Sequence, residues 1–363
     1  MASRETGWFG PAWSEAALAD FAACAEAIRH GSHSFHAAGR FLPARLRRPA
    51  HAIYAFCRLA DDAVDLGTGN KHAAVERLYH RLDRLYAGQP LDAAPDRALA
   101  RTVEAFDLPK ALPEALIEGL AWDAEGRRYA TLSALSDYAA RVAGAVGGMM
   151  AVLLGVRSER MLARACDLGV AMQLTNIARD VGEDARNGRV YLPLDWLAEA
   201  WIDPEALIAE PRHTPALARV VARLLREADT LYLRAEAGIA RLPRDCRPAI
   251  YAARFLYAEI GREVARAGYN AIDSRAVVSP VCKLALAAKA ARTSVLPLKR
   301  TWALAKPALD ETRYLVEAAT STPAPLPDWG DRVAWVVDLW AEMELRDRLQ
   351  ATARPAVRSG AGR

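Results

Sequence analysis

The chain has 363 residues, 52 % hydrophobic and 25 % charged, with a formal net charge of +4. That is a globular balance, long enough for one large core or two modest ones, and the slight basicity is too dispersed to argue for nucleic acid. Five scattered cysteines (Cys24, Cys57, Cys166, Cys246 and Cys282) form no CxxC pair, which argues against a zinc or disulfide framework and fits a reducing cytoplasm.

Residues 1–14 read as a tail with no apolar core or cleavage pattern, so no signal peptide is expected. From Glu15 to Arg292, Ala- and Leu-rich segments with three-and-four spacing recur between short breaks such as "LGTGN", "AGQPLDAAPD", "NGRVYLP" and "RLPRDCRP". Alternating strand patterns are nearly missing, so the fold class expected is all-α, a single domain over 15–300 with roughly ten helices.

The first segment to carry chemistry is "HAIYAFCRLADDAVD". Tyr54, Arg58, Asp61 and Asp65 share one helical face, while Ile53, Phe56, Ala60 and Ala63 take the other. Asp62 points away and reads as a salt-bridge residue. An alternative reading of Arg58 is simple pairing with Asp61 or Asp62 at i+3 and i+4.

Next, "VAGAVGGMMAVLLGV", Val142 to Val156, is too short to span a bilayer, which needs about 20 apolar residues. Gly144, Gly147 and Gly148 predict close backbone approach or a bend. In "AMQLTNIARDVGED", Gln173, Asn176, Asp180 and Asp184 fall within ~80° on the wheel of a helix otherwise spaced for burial. Buried against hydrocarbon, those carboxylates would each cost several kcal/mol, so they must face a site.

From Leu296 the texture changes. Pro297, Pro307, Pro323, Pro325 and Pro327 punctuate an extension over 301–350, which ends in the amphipathic "DRVAWVVDLWAEMELRDRLQ"; 351–363 reads as a disordered tail. The last helix is a candidate either for packing, through Trp335, Leu339 and Trp340, or for peripheral membrane contact.

Two helices that each bear DxxxD have one economical joint use. Facing each other across a cavity, their carboxylates can hold hard divalent cations, which bind diphosphate and neutralise charge as it leaves. Apolar walls would shelter the carbocation left behind. A di-iron carboxylate bundle would want Glu-x-x-His motifs, and the seven histidines supply none. Ionisation of an allylic diphosphate is the chemistry these residues point to.

The stretches "GSHSFHAAGRFLPARLRRPAHAIYAFCRLADDAVD" and "QLTNIARDVGEDARNGRVYLP" resemble the paired signatures of the squalene/phytoene synthase family. The resemblance is nearest the carotenoid-making bacterial members. It runs from about Ser32 to Lys289 and includes "FLYAEIGREVARAGYNAIDSRAVVSPVCKLALAAKA". It implies the isoprenoid synthase fold, a helical barrel around a central cavity. It further implies Mg2+, or Mn2+, at Asp61, Asp65, Asn176, Asp180 and Asp184. Diphosphate contacts fall at Ser32, His33, Ser34, Tyr54, Arg58, Gln173 and Arg179. Arg186 and Arg189, in the Gly-containing segment that follows, are expected to close on phosphate as lid residues.

Tyr54, Arg58 and Tyr257 carry the catalytic expectations; the departing diphosphate is the expected general base, with Tyr54 and Tyr257 as alternatives. Many relatives carry a second aromatic near Ala140, so no aromatic role transfers there; Tyr138 remains. The implied reaction condenses two geranylgeranyl diphosphates head to head through prephytoene diphosphate to phytoene, with no NADPH. The rivals are a fifteen-carbon relative making squalene, hydroxysqualene or dehydrosqualene, and a non-enzymatic scaffold. Small residues at Ala140, Gly144 and Gly147 would lengthen the pocket toward twenty carbons. The expected setting is the cytoplasm, with peripheral contact at the inner membrane face; oligomeric state is open.

Overall fold

Glu159–Arg186 runs 28 residues without a proline, and it forms the longest of the described helices. The computed structural model describes residues 13–31, 41–65, 70–296 and 300–321, apart from the side chains of 28–31, 65 and 301. All of these belong to one compact unit, Met1–Pro323. No strand occurs among the described residues, as the all-α expectation requires.

In chain order the helices are α1 (Glu15–Gly31), α2 (Ala44–Asp65), α3 (Lys71–Tyr86), α4 (Ala94–Phe106), α5 (Ala111–Ala124) and α6 (Leu132–Ala139). A π-helical turn, Ala140–Gly144, leads into α7 (Ala145–Leu153) and then α8 (Glu159–Arg186). There follow α9 (Leu194–Glu199), α10 (Pro204–Ala209), α11 (Pro215–Ile239), α12 (Arg247–Arg266), α13 (Pro280–Val295), α14 (Thr301–Leu304) and α15 (Arg313–Thr320). Side chains that begin several of them satisfy orphan amides: Thr131 accepts from Ala134, Thr214 from Leu217 and Ser279 from Cys282. None of the described helices is long and apolar enough to cross a membrane.

The central helix is α8, against which α7, α11 and α12 all pack; α7 also touches α2. Glycine makes the α7–α8 contact possible. A Cβ on Gly147 would stand 2.4 Å from the Ala165 carbonyl oxygen, and one on Gly169 2.2 Å from that of Ala143. Gly147 thus does what close approach predicts, and a π turn interrupts the α-helical ladder just before it. Gly147 therefore seats a neighbouring backbone rather than deepening a pocket, and Ala140 is wholly buried in the core.

Residues 300–321, read from sequence as the start of an extension, pack on this body. Leu315, Val316 and Ala319 join the main core, while Ala303 and Leu304 cluster with Ala237. Arg164 anchors them. Its fully buried guanidinium pairs with Asp167 at 2.7 Å and donates to the carbonyls of Ala303, Lys306 (3.0 Å) and Pro307 (3.0 Å). Arg234 bonds the same Asp167 at 3.0 Å and also donates to Pro307. The helix expected within 331–350 and the tails 1–12 and 351–363 lie outside the described residues.

Candidate active site

The acidic stripe on α8 is real. Leu174, Ile177, Ala178, Val181 and Ala185 are buried, whereas Gln173, Asn176, Asp180 and Asp184 share the face that is only partly covered. Asn176 donates to the Gln173 side chain at 3.4 Å, one turn earlier.

Asp180 is bound by two arginines. Arg179 Nε donates to it at 2.7 Å; Arg275 donates through Nε at 2.8 Å and Nη2 at 3.1 Å. Burial works to raise this carboxyl, but the bonds from Arg179 and Arg275 prevail and hold it below the ordinary aspartate range. Arg275 arrives on the loop between α12 and α13, which lies directly on α8. The amide of Gly182 donates to the Ala271 carbonyl at 2.9 Å, and a Cβ there would stand 2.7 Å from Ile272 Cα. Glycine is thus required inside the acidic motif so that the loop can dock. Arg179, Asp180, Glu183 and Arg186 of α8, with Asp273 and Arg275 of the loop, line a cleft of about 200 Å³.

Asp184 has the opposite electrostatics. Burial, then the negative charges of Asp180, Glu183 and Asp123, push its carboxyl up to about 8 against the pull of Arg189. Asp123, on α5, accepts from Tyr138 Oη at 2.7 Å and from Tyr191 Oη at 2.7 Å. Tyr138 is therefore committed to Asp123 and buried.

On α2, Ile53, Phe56 and Ala60 are buried, while Tyr54 and Asp61 are only partly covered and Arg58 is exposed. Arg58 pairs with Asp62 at 2.7 Å and Asp61 at 3.3 Å, which is the helical pairing weighed as an alternative. Tyr257, on α12, is buried. Burial raises its phenol to about 12, with the Tyr54 hydroxyl and the Asp180 carboxylate adding to the rise and Arg179 opposing it. Charges on α2, at Tyr54, and on α8, at Arg179 and Asp180, are thus both felt at this phenol.

Other expectations fare differently. Arg186 donates to the Ile272 carbonyl at 2.5 Å, so it holds the docked loop rather than standing open toward phosphate. Arg189 closes the turn after α8, its amide donating to the Asp184 carbonyl at 2.8 Å. Ser32, His33 and Ser34 lie outside the described residues, as does the side chain of Asp65, the last residue of α2. The carboxylates are not gathered into a ready cluster: among the described residues no three His, Cys, Asp or Glu side chains group closely enough to hold a metal ion. Asp61 and Asp180 take their countercharge from arginine, as like charges in partial burial must from some cation.

Sequence reasoning missed Arg275 and Asp123. The one available signal for Arg275 is its place within the stretch from Phe255 to Ala290; Asp123 has none, since only the fold brings α5 to Tyr191.

A family model described as squalene/phytoene synthase matches residues 28–282. The phytoene synthase of Rhodobacter capsulatus is 56 % identical over 310 residues, 84 % of this chain and 91 % of that protein. The phytoene synthase of Cereibacter sphaeroides is 50 % identical over 343 residues, 92 % of this chain and 96 % of that one. Among solved structures, a dehydrosqualene synthase crystallised with a ligand superposes with a TM-score of 0.73 at 31 % identity, covering 78 % of this chain and 99 % of that one.

Proposed function

The chain belongs to the squalene/phytoene synthase family, and from that membership we propose that it condenses two geranylgeranyl diphosphates head to head to phytoene, in carotenoid biosynthesis. The observation that carries this reading is the likeness to two bacterial phytoene synthases along nearly their whole lengths.

Asp61, Asp65, Asn176, Asp180 and Asp184 are the proposed holders of Mg2+, with Mn2+ as the alternative ion. The donor set fits: it is all oxygen, and Asp184 is crowded by Asp180, Glu183 and Asp123, a repulsion that a divalent cation relieves. When bound, the ion neutralises charge that develops on the departing diphosphate.

The arginines supply the rest of that charge. Arg58, Arg179 and Arg275 now sit on carboxylates; on substrate binding they exchange those partners for diphosphate oxygens, with Gln173, Ser32, His33 and Ser34 completing the contacts. Arg186 and Arg189 act indirectly, through the docked loop and the turn behind Asp184. The C1–O bond of one substrate breaks, and the allylic cation adds to the double bond of the second. Loss of a proton closes the cyclopropane of prephytoene diphosphate. A second ionisation, rearrangement and proton loss complete the product.

Tyr257 stays protonated throughout, since its phenol is raised to about 12. It serves as a hydrogen-bond donor beside Tyr54, and the released diphosphate is the base.

The second reading is a fifteen-carbon condensation, favoured by the structural likeness to a dehydrosqualene synthase. Purified protein incubated separately with farnesyl and geranylgeranyl diphosphate, with and without NADPH, distinguishes them. A forty-carbon hydrocarbon formed without NADPH is expected; a thirty-carbon product alone would replace this reading with its rival.

A further inference from the structure

A helix apolar on two sides needs two partners, and among the described residues α13 has one. Leu286, Ala290 and Ser294 are buried where α13 packs against α12. On another side Val281, Leu284, Ala288, Ala291 and Val295 recur with three-and-four spacing inside about 80° of the wheel. These residues are exposed: Val281 by 80 %, Leu284 by 74 % and Val295 by 78 %. Val277 precedes them at 72 %, and Leu296 and Trp302 follow at 77 % and 53 %. A contiguous run of such residues marks an interaction surface rather than scattered apolar exposure.

Charge selects the partner. Residues 276–309 contain six basic side chains (Lys283, Lys289, Arg292, Lys299, Arg300 and Lys306) and no Asp or Glu, in a chain with 48 basic and 44 acidic residues overall. Arg292 borders the apolar stripe on the wheel. A second copy docked on the same face would oppose like charges, whereas an anionic bilayer offers both hydrocarbon and countercharge. Trp302 suits the boundary between them, where an apolar ring with one polar tip is favoured.

We propose that this face of α13 is the surface by which the protein docks on an anionic lipid bilayer. The short connector 276–279 joins it to Arg275, so docking would place the bilayer next to the loop that holds Asp180. The inference is independent of the reaction assigned above.

The test is co-sedimentation of the full chain with vesicles of phosphatidylglycerol and phosphatidylcholine in equal parts, and with phosphatidylcholine alone. Wild-type protein binds the anionic vesicles and is released as salt rises. A Val281→Asp/Leu284→Asp variant, and separately Ala288→Asp/Val295→Asp, loses about tenfold in partitioning while oligomeric state and diphosphate release stay unchanged. The side chains are exposed, so circular dichroism should match wild type. Vesicle binding that is undiminished in both variants overturns the proposal, as does failure of wild type to bind. A change from dimer to monomer in the variants also overturns it, because the face would then be covered by a second copy.

Discussion

Arg275 and Asp180, 95 residues apart in sequence, are joined by two hydrogen bonds of 2.8 and 3.1 Å. With Arg179 they set Asp180 apart from Asp184, one turn further along α8. One carboxylate of the motif is compensated by guanidinium groups; the other is crowded by like charge.

The two aspartates should therefore respond oppositely to removal. Asp180 has a folded pKa below its reference of 3.8, so its stabilisation is present above that value and is lost as pH falls through the lowered one. Asp184 has a folded pKa raised from 3.8 to about 8, so folding favours its protonated form and stability declines as pH rises between them. In metal-free protein at pH 8, Asp184→Asn should raise the unfolding temperature. Asp180→Asn should cost about 1 kcal/mol, a figure that allows for screening at the half-exposed Arg275. Thermal unfolding of both variants at pH 5 and pH 8 checks the signs; matching shifts would refute them.

Gly182→Ala should dislodge the loop. The added methyl meets Ile272 backbone that cannot swing aside, a strain of about 1–3 kcal/mol. Turnover should fall with it, since Arg275 is carried by that loop. Urea unfolding and steady-state rates measure both; wild-type values would show that the loop does not bear on Asp180.

The buried network behind α8 should be the costliest to break. Asp167→Asn removes the countercharge from Arg164 and Arg234 and should lose about 3 kcal/mol. Asp245→Asn, at the half-exposed pair with Arg45, should lose less than about 1 kcal/mol. Chemical denaturation ranks them, and equal losses would contradict the anchoring of 300–321 by Arg164.

Tyr257→Phe tests the assignment of the base. A phenol raised to about 12 does not ionise in the working range, so the pH–rate profile should keep its shape while the rate drops. Loss in the variant of an ascent in rate toward alkaline pH would make Tyr257 the base instead.

The acidic stripe was legible because it is local: Gln173, Asn176, Asp180 and Asp184 follow helical geometry, and the covered side of α8 holds the apolar residues between them. Ile53, Phe56 and Ala60 behave likewise on α2. Arg275 was not legible, because nothing near it in sequence says that its loop lies on Gly182. The same holds for Asp123 between Tyr138 and Tyr191, and for Arg164, whose carbonyl partners lie about 140 residues away. Gly147, read as room for substrate, turned out to be room for a neighbouring carbonyl. Spacing tells which residues share a face; it does not tell what the fold lays against that face.

The most direct measurement is diphosphate release from geranylgeranyl diphosphate, with and without Mg2+, by wild type and by Asp61→Asn, Asp180→Asn and the double variant, each below its unfolding temperature. If α2 and α8 serve one metal site, release needs the ion, either substitution lowers it by about a thousandfold or more, and the double variant is scarcely worse than the singles. Release without Mg2+, or folded single variants that keep wild-type rates, would contradict a shared site. No release from folded wild type would make the chain a scaffold.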